Sequence, residues 1–414
     1  MLRIRKLTHP NKSLFAPPFS RLLHGWGAYL HAFNQNPPNA ASNFSGRLDK
    51  PLLSPTKLSL ESFFPSFNIQ SSFPNNVAVG YGHSLIAVYN SSMDVSYVSA
   101  FGLNRYSQLG SKTSHNPALT AYEIKGCISQ ISCGREHTLL LSTTREDNTC
   151  LLYSFGNNSH GQLGLLQKSA DTLKASLSNK NLLIQKVSAP YSNIEQIACG
   201  LDHSIILTKR GELFTFGWNA DGQLGNNTDN SSHQPCNISN YFDSKVLSVS
   251  TSTDLNFALT QNNQLYVWGN GEYMNNMLQS TQDKIVIPTK VDFDFGQIMS
   301  FAAGGAHSLV ANNHGEVFIC GYGALGFGSS EIRLSTPTKI PHLKDIVSVY
   351  ASTDYSAAKD ANGKYYIWGL NNKSGILGLG HTNNQFKPAP LLFDSTVDTK
   401  NSKLALGNLF SFLY

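Results

Sequence analysis

The sequence is poor in charge and has no long apolar runs. Only 14% of its 414 residues are Asp, Glu, Lys or Arg. No apolar stretch approaches the roughly 18 residues that a membrane-spanning helix needs, so we expect no transmembrane segment. Helix-type apolar periodicity is also missing, and short β-rich runs bounded by turn residues take its place. These absences argue against a helical or membrane-embedded protein.

Acidic residues are missing from the first 48 positions, which hold six basic residues. The remaining chain has 25 basic and 26 acidic residues and is therefore close to neutral. A near-neutral body gives no bulk electrostatic reason to bind the phosphate backbone of nucleic acid, so we expect no direct DNA binding.

Cysteine pairs of the Cys-x-x-Cys type are also missing. The six cysteines are spread over the chain, and we interpret them as small apolar residues in a reducing compartment. Neither a metal site nor a cofactor is expected.

Two short elements alternate along nearly the whole chain. The B element is Gly-x-x-His, clearest in "GLDH" at 200–203, and the A element is an aromatic residue followed by Gly, clearest in "FGWNADGQLG" at 216–225. The B position is held in turn by His83, His137, His203, Leu255, His307, Tyr355 and Phe410. The A position is held by Trp26, Phe101, Phe155, Phe216, Trp268, Cys320 and Trp368. Seven copies at steps of 48 to 66 residues indicate a repeat architecture.

Each B element leads into the next A element through a predicted β-hairpin. In "HSIILTKRGELFTFG" an apolar strand, a polar turn and a returning strand follow one another, and other copies have turns such as "QNNQ" and "ANGK". The pattern predicts an all-β, seven-bladed β-propeller of about 28 strands over residues 21–414. Because the chain begins with A and ends with B, we expect residues 22–27 to pair antiparallel with 409–414 and close the ring.

The paired motifs resemble the regulator of chromosome condensation repeat, whose family forms seven-bladed propellers. The resemblance covers roughly residues 22–414 and is weakest in the fifth and sixth A elements, "VWGNGEYMNNML" and "FICGYGALGFG". A blade there is expected to be distorted or to lack a standard contact.

The repeated histidines do not point to chemistry. Leu255, Tyr355 and Phe410 replace His at three of the seven positions and cannot serve as metal ligands, so we interpret His83, His137, His203 and His307 as buried residues that bond backbone. Trp26, Trp268 and Trp368 are interpreted as packing residues between blades. The His-Ser dipeptides are not expected to be nucleophilic pairs because neighbours on a strand point to opposite faces. The glycine-rich A elements lack the helix and Lys-Ser/Thr of a phosphate loop. We therefore predict no catalytic residues and a protein that is not an enzyme.

The resemblance also implies a candidate contact with a GTPase. The founding member of the family is a guanine-nucleotide exchange factor for a small GTPase and uses an acidic residue of a B element in nucleotide release. The corresponding residues here are Asp202 and, one blade earlier, Glu136. A polar loop residue without that role is the simpler interpretation of both.

Residues 1–20 are basic, contain Ser and are free of acid, which is typical of a mitochondrial targeting segment. The alternative is a basic tail on a cytoplasmic or nuclear protein. If the protein is imported, it resembles the organellar members of the family, which are linked to assembly of the mitochondrial ribosome or respiratory complexes and in some cases to a GTPase. The sequence favours a partner-binding scaffold, and the alternative function is guanine-nucleotide exchange on a small or dynamin-like GTPase.

Overall fold

The structure is a computed structural model that describes residues 23–28, 51–64, 66–67, 69, 74–112, 118–165, 182–187, 191, 193–329 and 332–414. The candidate targeting segment, residues 1–20, lies outside the described residues, so the predicted boundary at residue 20 stays a prediction.

The described residues form 28 strands, and these make seven antiparallel sheets of four strands each. Blades 1 to 4 follow one another along the chain. Blade 1 contains β3 (Pro74–Val79), β4 (His83–Asn90), β5 (Val95–Gly102) and β6 (Ala118–Lys125). Blade 2 contains β7 (Cys127–Cys133), β8 (His137–Thr143), β9 (Cys150–Gly156) and β10 (Gln185–Lys186). Blade 3 contains β11 (Ile194–Cys199), β12 (His203–Thr208), β13 (Leu213–Gly217) and β14 (Ser232–Asn237). Blade 4 contains β15 (Val246–Thr251), β16 (Leu255–Thr260), β17 (Leu265–Asn270) and β18 (Lys284–Lys290).

Blades 5 and 6 repeat this order, and blade 7 is shared between the two ends of the chain. Blade 5 contains β19 (Ile298–Ala303), β20 (His307–Asn312), β21 (Val317–Gly323) and β22 (Ile332–Lys339). Blade 6 contains β23 (Ile346–Ala351), β24 (Tyr355–Asp360), β25 (Tyr365–Gly369) and β26 (Gln385–Leu391). Blade 7 contains β27 (Leu404–Leu406), β28 (Phe410–Leu413), β1 (His24–Gly27) and β2 (Leu52–Lys57). Two 3-10 turns, Leu60–Phe63 and Ser239–Tyr241, are the helical elements of the described residues.

The first strand of each blade contacts the first strand of the next, from β3 through β7, β11, β15, β19 and β23 to β27 and back to β3. These seven strands surround a central channel. The seven-bladed propeller predicted from the repeats is therefore confirmed.

The predicted closure of blade 7 is also confirmed. Strand β1 pairs antiparallel with β28, with His24 opposite Leu413 and Gly27 opposite Phe410. The pairing places each terminal strand inside a four-stranded sheet and gives both of them hydrogen-bonded neighbours.

The core lies mainly between neighbouring blades. The A-position side chains are fully buried there, and Trp268, for example, packs with Ile205 of blade 3 and Met277. The second and third strands of each blade carry consecutive buried residues, most of them apolar, as in β12 and β13, so each sheet presents apolar side chains to both of its neighbours. A blade is therefore stabilised by the blades beside it.

Candidate functional site

The A and B elements meet at one face of the ring, which we call the loop face. Each B residue begins the second strand of a blade and pairs with the glycine of its A element, as His203 does with Gly217. This glycine has φ +113°, and a Cβ there would lie 2.5 Å from the carbonyl oxygen of Asp202. The A-element glycine is thus required because the B loop, the tripeptide before each B residue, passes directly against it.

Backbone hydrogen bonds join the B loops of blades 1 to 4, and those of blades 5 and 6, into a collar around the channel. The amide of Arg135 donates to the carbonyl of Leu201 at 2.9 Å, and the amide of Leu201 donates to the carbonyl of Thr253 at 2.9 Å. The channel mouth inside the collar has a volume of about 280 Å³ and is lined largely by backbone and small side chains. The collar therefore fixes the B loops of neighbouring blades relative to one another.

Each B-position histidine reaches into the next blade. The Nε2 atom of His137 lies 3.0 Å from Oγ of Ser204, the residue that follows the B position of blade 3. The same contact, which we call the clasp, joins His83 to Thr138 at 2.9 Å, His203 to Asn256 at 2.7 Å and His307 to Ser356 at 2.7 Å. In blade 6 the hydroxyl of Tyr355 replaces imidazole and lies 2.9 Å from Oγ of Ser411. The sequence led us to expect backbone acceptors for these histidines, and the structure gives side-chain partners on the next blade instead.

In three of the clasps the partner residue makes a second hydrogen bond, to an A-element carbonyl of the blade that carries the histidine. Ser204 donates to the carbonyl of Gln162 at 2.8 Å, and Thr138 and Asn256 donate to the carbonyls of Gln108 and Gln223 in the same way. The polar chain therefore connects a B residue, the following blade and an A loop, and it locks neighbouring blades in register.

Two interfaces lack the clasp. Leu255 and Phe410 stand at the B positions of blades 4 and 7 and offer no hydrogen-bonding group. The hydroxyls that would meet them, those of Ser308 and Ser84, are buried and have no hydrogen-bond partner among the described residues. The sequence showed the apolar replacements but not the buried hydroxyls that they leave unsatisfied.

The clasp histidines are neutral under ordinary conditions. Burial lowers the pKa of His83 and His137 to about 3 and that of His307 to about 4, and it also lowers the pKa of His203. The His137 and Ser204 side chains form a Ser-His pair, but both residues are fully buried, so no substrate can reach the hydroxyl. The arrangement is suited to holding blades together.

Asp202 lies on the loop face in an ion pair with Arg135 of the preceding blade. The carboxylate is nearly buried, with 8% of its side chain exposed, whereas 47% of the Arg135 side chain is exposed. The sequence suggested an acidic group at the surface, and in the structure the guanidinium is the exposed member of the pair. Glu136 is half-buried and accepts a hydrogen bond from Asn157 Nδ2 at 3.1 Å.

Two more aspartates occupy the Asp202 position in other blades. Asp254 accepts a hydrogen bond from Gln223 Nε2 at 2.9 Å. Asp354, in "STDY", is exposed, and no hydrogen bond or ion pair reaches its carboxylate from the described residues. Sequence reasoning passed over both residues because their B elements are degenerate, although alignment of "STD" with "GLD" places them at the same site.

The shortened A element "FICGYGALGFG", the sixth along the chain, lies in blade 5. As expected from the sequence, a standard contact is missing there. Trp268 and Trp26 donate their indole N–H to A-loop carbonyls of the preceding blade, Gln223 at 3.0 Å and Ile376 at 2.7 Å. Trp368 faces the shortened loop, and its buried Nε1 has no partner among the described residues. The same loop has Ala324 where Gln223 stands in blade 3, which leaves Asp354 without the amide that Asp254 has.

Within the part of the chain that the structure describes, no three His, Cys, Asp or Glu side chains come together in a group that could hold a metal ion. No helix in that part is long and apolar enough to cross a membrane.

Comparisons with known proteins agree with the fold. Two models of the regulator of chromosome condensation (RCC1) repeat match, one at residues 128–162 and 194–223 and the other at 151–207 and 210–259. The mouse RCC1-like G exchanging factor-like protein is 30% identical over 341 residues, which are 76% of this chain and 71% of that protein.

Solved structures show the same ring. The crystal structure of human WBSCR16 matches with a TM-score of 0.76 and 25% identity, over 95% of this chain and 99% of that one. Prp20p from Saccharomyces cerevisiae matches in fold with a TM-score of 0.67 and 20% identity, over 95% and 90% of the two chains. With seven repeat-built blades and a relative of this identity and coverage, the chain belongs to the regulator of chromosome condensation repeat family.

Proposed function

We propose that this protein is a partner-binding propeller that docks another protein on its loop face and carries out no catalysis of its own. The observation that carries the proposal is the division of that face into a rigid interior and an adhesive surface. The clasp histidines and serines are buried and locked, whereas Tyr81, Tyr106 and Tyr273 project from the loops with 43 to 50% of their area exposed. Tyrosine is enriched where protein partners bind most tightly, because it combines a large apolar ring with one polar group.

We further propose that the protein acts in mitochondria, as an assembly or regulatory factor for the ribosome or a respiratory complex. The support is the acid-free basic character of residues 1–20. Fusion of residues 1–30 to a fluorescent protein tests the proposed mitochondrial location. A mitochondrial signal is expected, and a diffuse cytoplasmic signal would contradict import.

Guanine-nucleotide exchange is the second candidate function. Two observations favour it: the similarity to a mouse protein named as an exchanging factor-like protein, and the Arg135–Asp202 pair on the loop face. An exchange factor must disturb the phosphate and Mg²⁺ site of its GTPase, and charged groups fixed on a rigid face are suited to that task. Because Arg135 is the more exposed partner, a GTPase would meet the guanidinium first, with Asp202 holding it in place.

The two functions are separated by affinity purification of the tagged protein from isolated organelles, followed by a nucleotide-release assay on any GTPase recovered. For the scaffold we expect ribosomal or respiratory-complex subunits, with no acceleration of nucleotide release. For exchange we expect the wild type to accelerate nucleotide release from the recovered GTPase, and Asp202→Ala to accelerate it less than the wild type does. Glu272→Ala, at an exposed residue of a loop on the same face, is the matched control. Full complementation in cells by Asp202→Ala would contradict exchange through this residue.

A further inference from the structure

A groove crosses the loop face where blades 6, 7 and 1 meet. Its volume is about 450 Å³, which falls within the range of pockets that bind small ligands. Its apolar walls come from Leu103 of blade 1, Leu370 and Ile376 of blade 6, and Leu409 of blade 7. Tyr81 stands at its edge with 48% of its area exposed.

Most polar groups of the groove are engaged in holding its walls. Asn371 Nδ2 donates to the carbonyl of His381 at 2.9 Å, and Asn372 Nδ2 donates to the carbonyl of Asn408 at 3.1 Å. Asp354 also lines the groove, and no cation or hydrogen-bond donor of the described residues pairs with its carboxylate. Asp354 is exposed at the rim, and the neighbouring walls remove part of the water around its carboxyl group, which raises the pKa of Asp354.

The same position in other blades shows what this carboxylate lacks. Asp202 is paired with Arg135, and Asp254 is bonded by Gln223. Asp354 has neither partner because blade 5 supplies a shortened loop. The exposed carboxylate of Asp354 is therefore free to form a charge-assisted hydrogen bond with a cation brought by another molecule.

We propose that the groove binds an arginine side chain on the surface of a protein partner. The aliphatic stem would lie against Leu103, Leu370 and Leu409, and the guanidinium would pair with Asp354 and stack on the Tyr81 ring. Arginine fits better than lysine because its planar guanidinium can both pair with a carboxylate through two hydrogen bonds and stack on an aromatic face. This inference rests on the proposed partner-binding function and names the chemistry of the contact.

The direct test uses the peptide acetyl-Gly-Arg-Gly-amide with the full-length protein and follows binding by NMR titration. We expect saturable binding that is weakened about tenfold in Asp354→Asn, since one charge-assisted contact is lost. Asp254→Asn is the matched control, because that carboxylate is already bonded by Gln223, and it should bind as the wild type does. A peptide with citrulline in place of arginine keeps the shape without the charge and should bind as weakly to the wild type as the arginine peptide binds to Asp354→Asn.

Three results would overturn the proposal: equal binding of the arginine peptide to wild type and Asp354→Asn, equal binding of the citrulline peptide, or equal binding of a lysine peptide. Affinity purification with wild type and Asp354→Asn then separates this inference from the proposed function. If wild type and Asp354→Asn recover the same partners in equal amounts, the proposed role of the groove would be contradicted and the proposed partner-binding function would stand. If peptide binding depends on Asp354 but the wild type recovers no protein, the arginine-binding groove would be supported and the proposed partner-binding function would be contradicted.

Discussion

The clasp gives a matched pair of substitutions whose effects should differ although their chemistry is the same. Ser356→Ala removes the hydroxyl that lies 2.7 Å from Nε2 of His307 and leaves that nitrogen buried without a partner. We expect a loss of about 1–3 kcal/mol in the free energy of unfolding, the usual cost of leaving a buried polar group unsatisfied. Ser308→Ala removes a buried hydroxyl that already has no partner, because Leu255 faces it. We expect this change to be neutral or stabilising.

The assay is urea unfolding of wild type and the two variants, followed by tryptophan fluorescence, with thermal melting as a second measurement. For a domain of this size, 1–3 kcal/mol corresponds to a melting temperature lower by about 1–4 °C. Equal losses in the two variants would refute the reasoning, since they would show that the cost comes from removing a side-chain oxygen and not from breaking the clasp.

Three further predictions concern closure, acid and the shortened loop. Deletion of 409–414 removes β28 from the sheet of blade 7, so we expect a large loss of stability, and melting at the wild-type temperature would contradict the observed closure. Burial keeps the pKa of the clasp histidines well below the value of about 6.5 in an unfolded chain, so below pH 6.5 the unfolded state binds more protons than the folded state. The contribution of these histidines to stability should therefore be complete above pH 6.5 and fall by up to about 1.4 kcal/mol per pH unit for each histidine as the pH drops toward 4. Unfolding measured from pH 7.5 to 4.5 would show this loss. Trp268→Phe breaks a hydrogen bond to Gln223 and Trp368→Phe breaks none, so the first should cost about 1 kcal/mol more in urea unfolding, and equal costs would argue against the effect of the shortened loop.

Much of the fold follows from the period of the sequence. Alternating A and B elements identify the blades, and the distance from B to A, which is either 13 or 18 residues, identifies each hairpin. The order of the elements, with Trp26 first and Phe410 last, predicts which strands close the ring. These features are visible because each is a local pattern repeated along the chain.

The polar contacts between blades were harder to foresee. A clasp joins residues that are 49 to 67 positions apart, so no local sequence pattern predicts that Ser204 is the partner of His137. The pairing of Asp202 with Arg135 has the same origin, since the two residues meet only when blades 2 and 3 pack. The free carboxylate of Asp354 is a difference between blades, and it becomes visible only when the loops of neighbouring copies are compared in space.

The sharing of blade 7 between the two ends of the chain sets an order of events for folding. Strand β1 is the first of the 28 described strands to leave the ribosome, and its partner β28 is the last of them. Six blades can form while the chain emerges, because their strands are consecutive, but the ring cannot close until β28 has emerged. Until then the open edges of blades 1 and 6 have no neighbour. The apolar faces of blades 1 and 6 therefore stay exposed to water until blade 7 is complete, which makes the six-blade intermediate prone to aggregation.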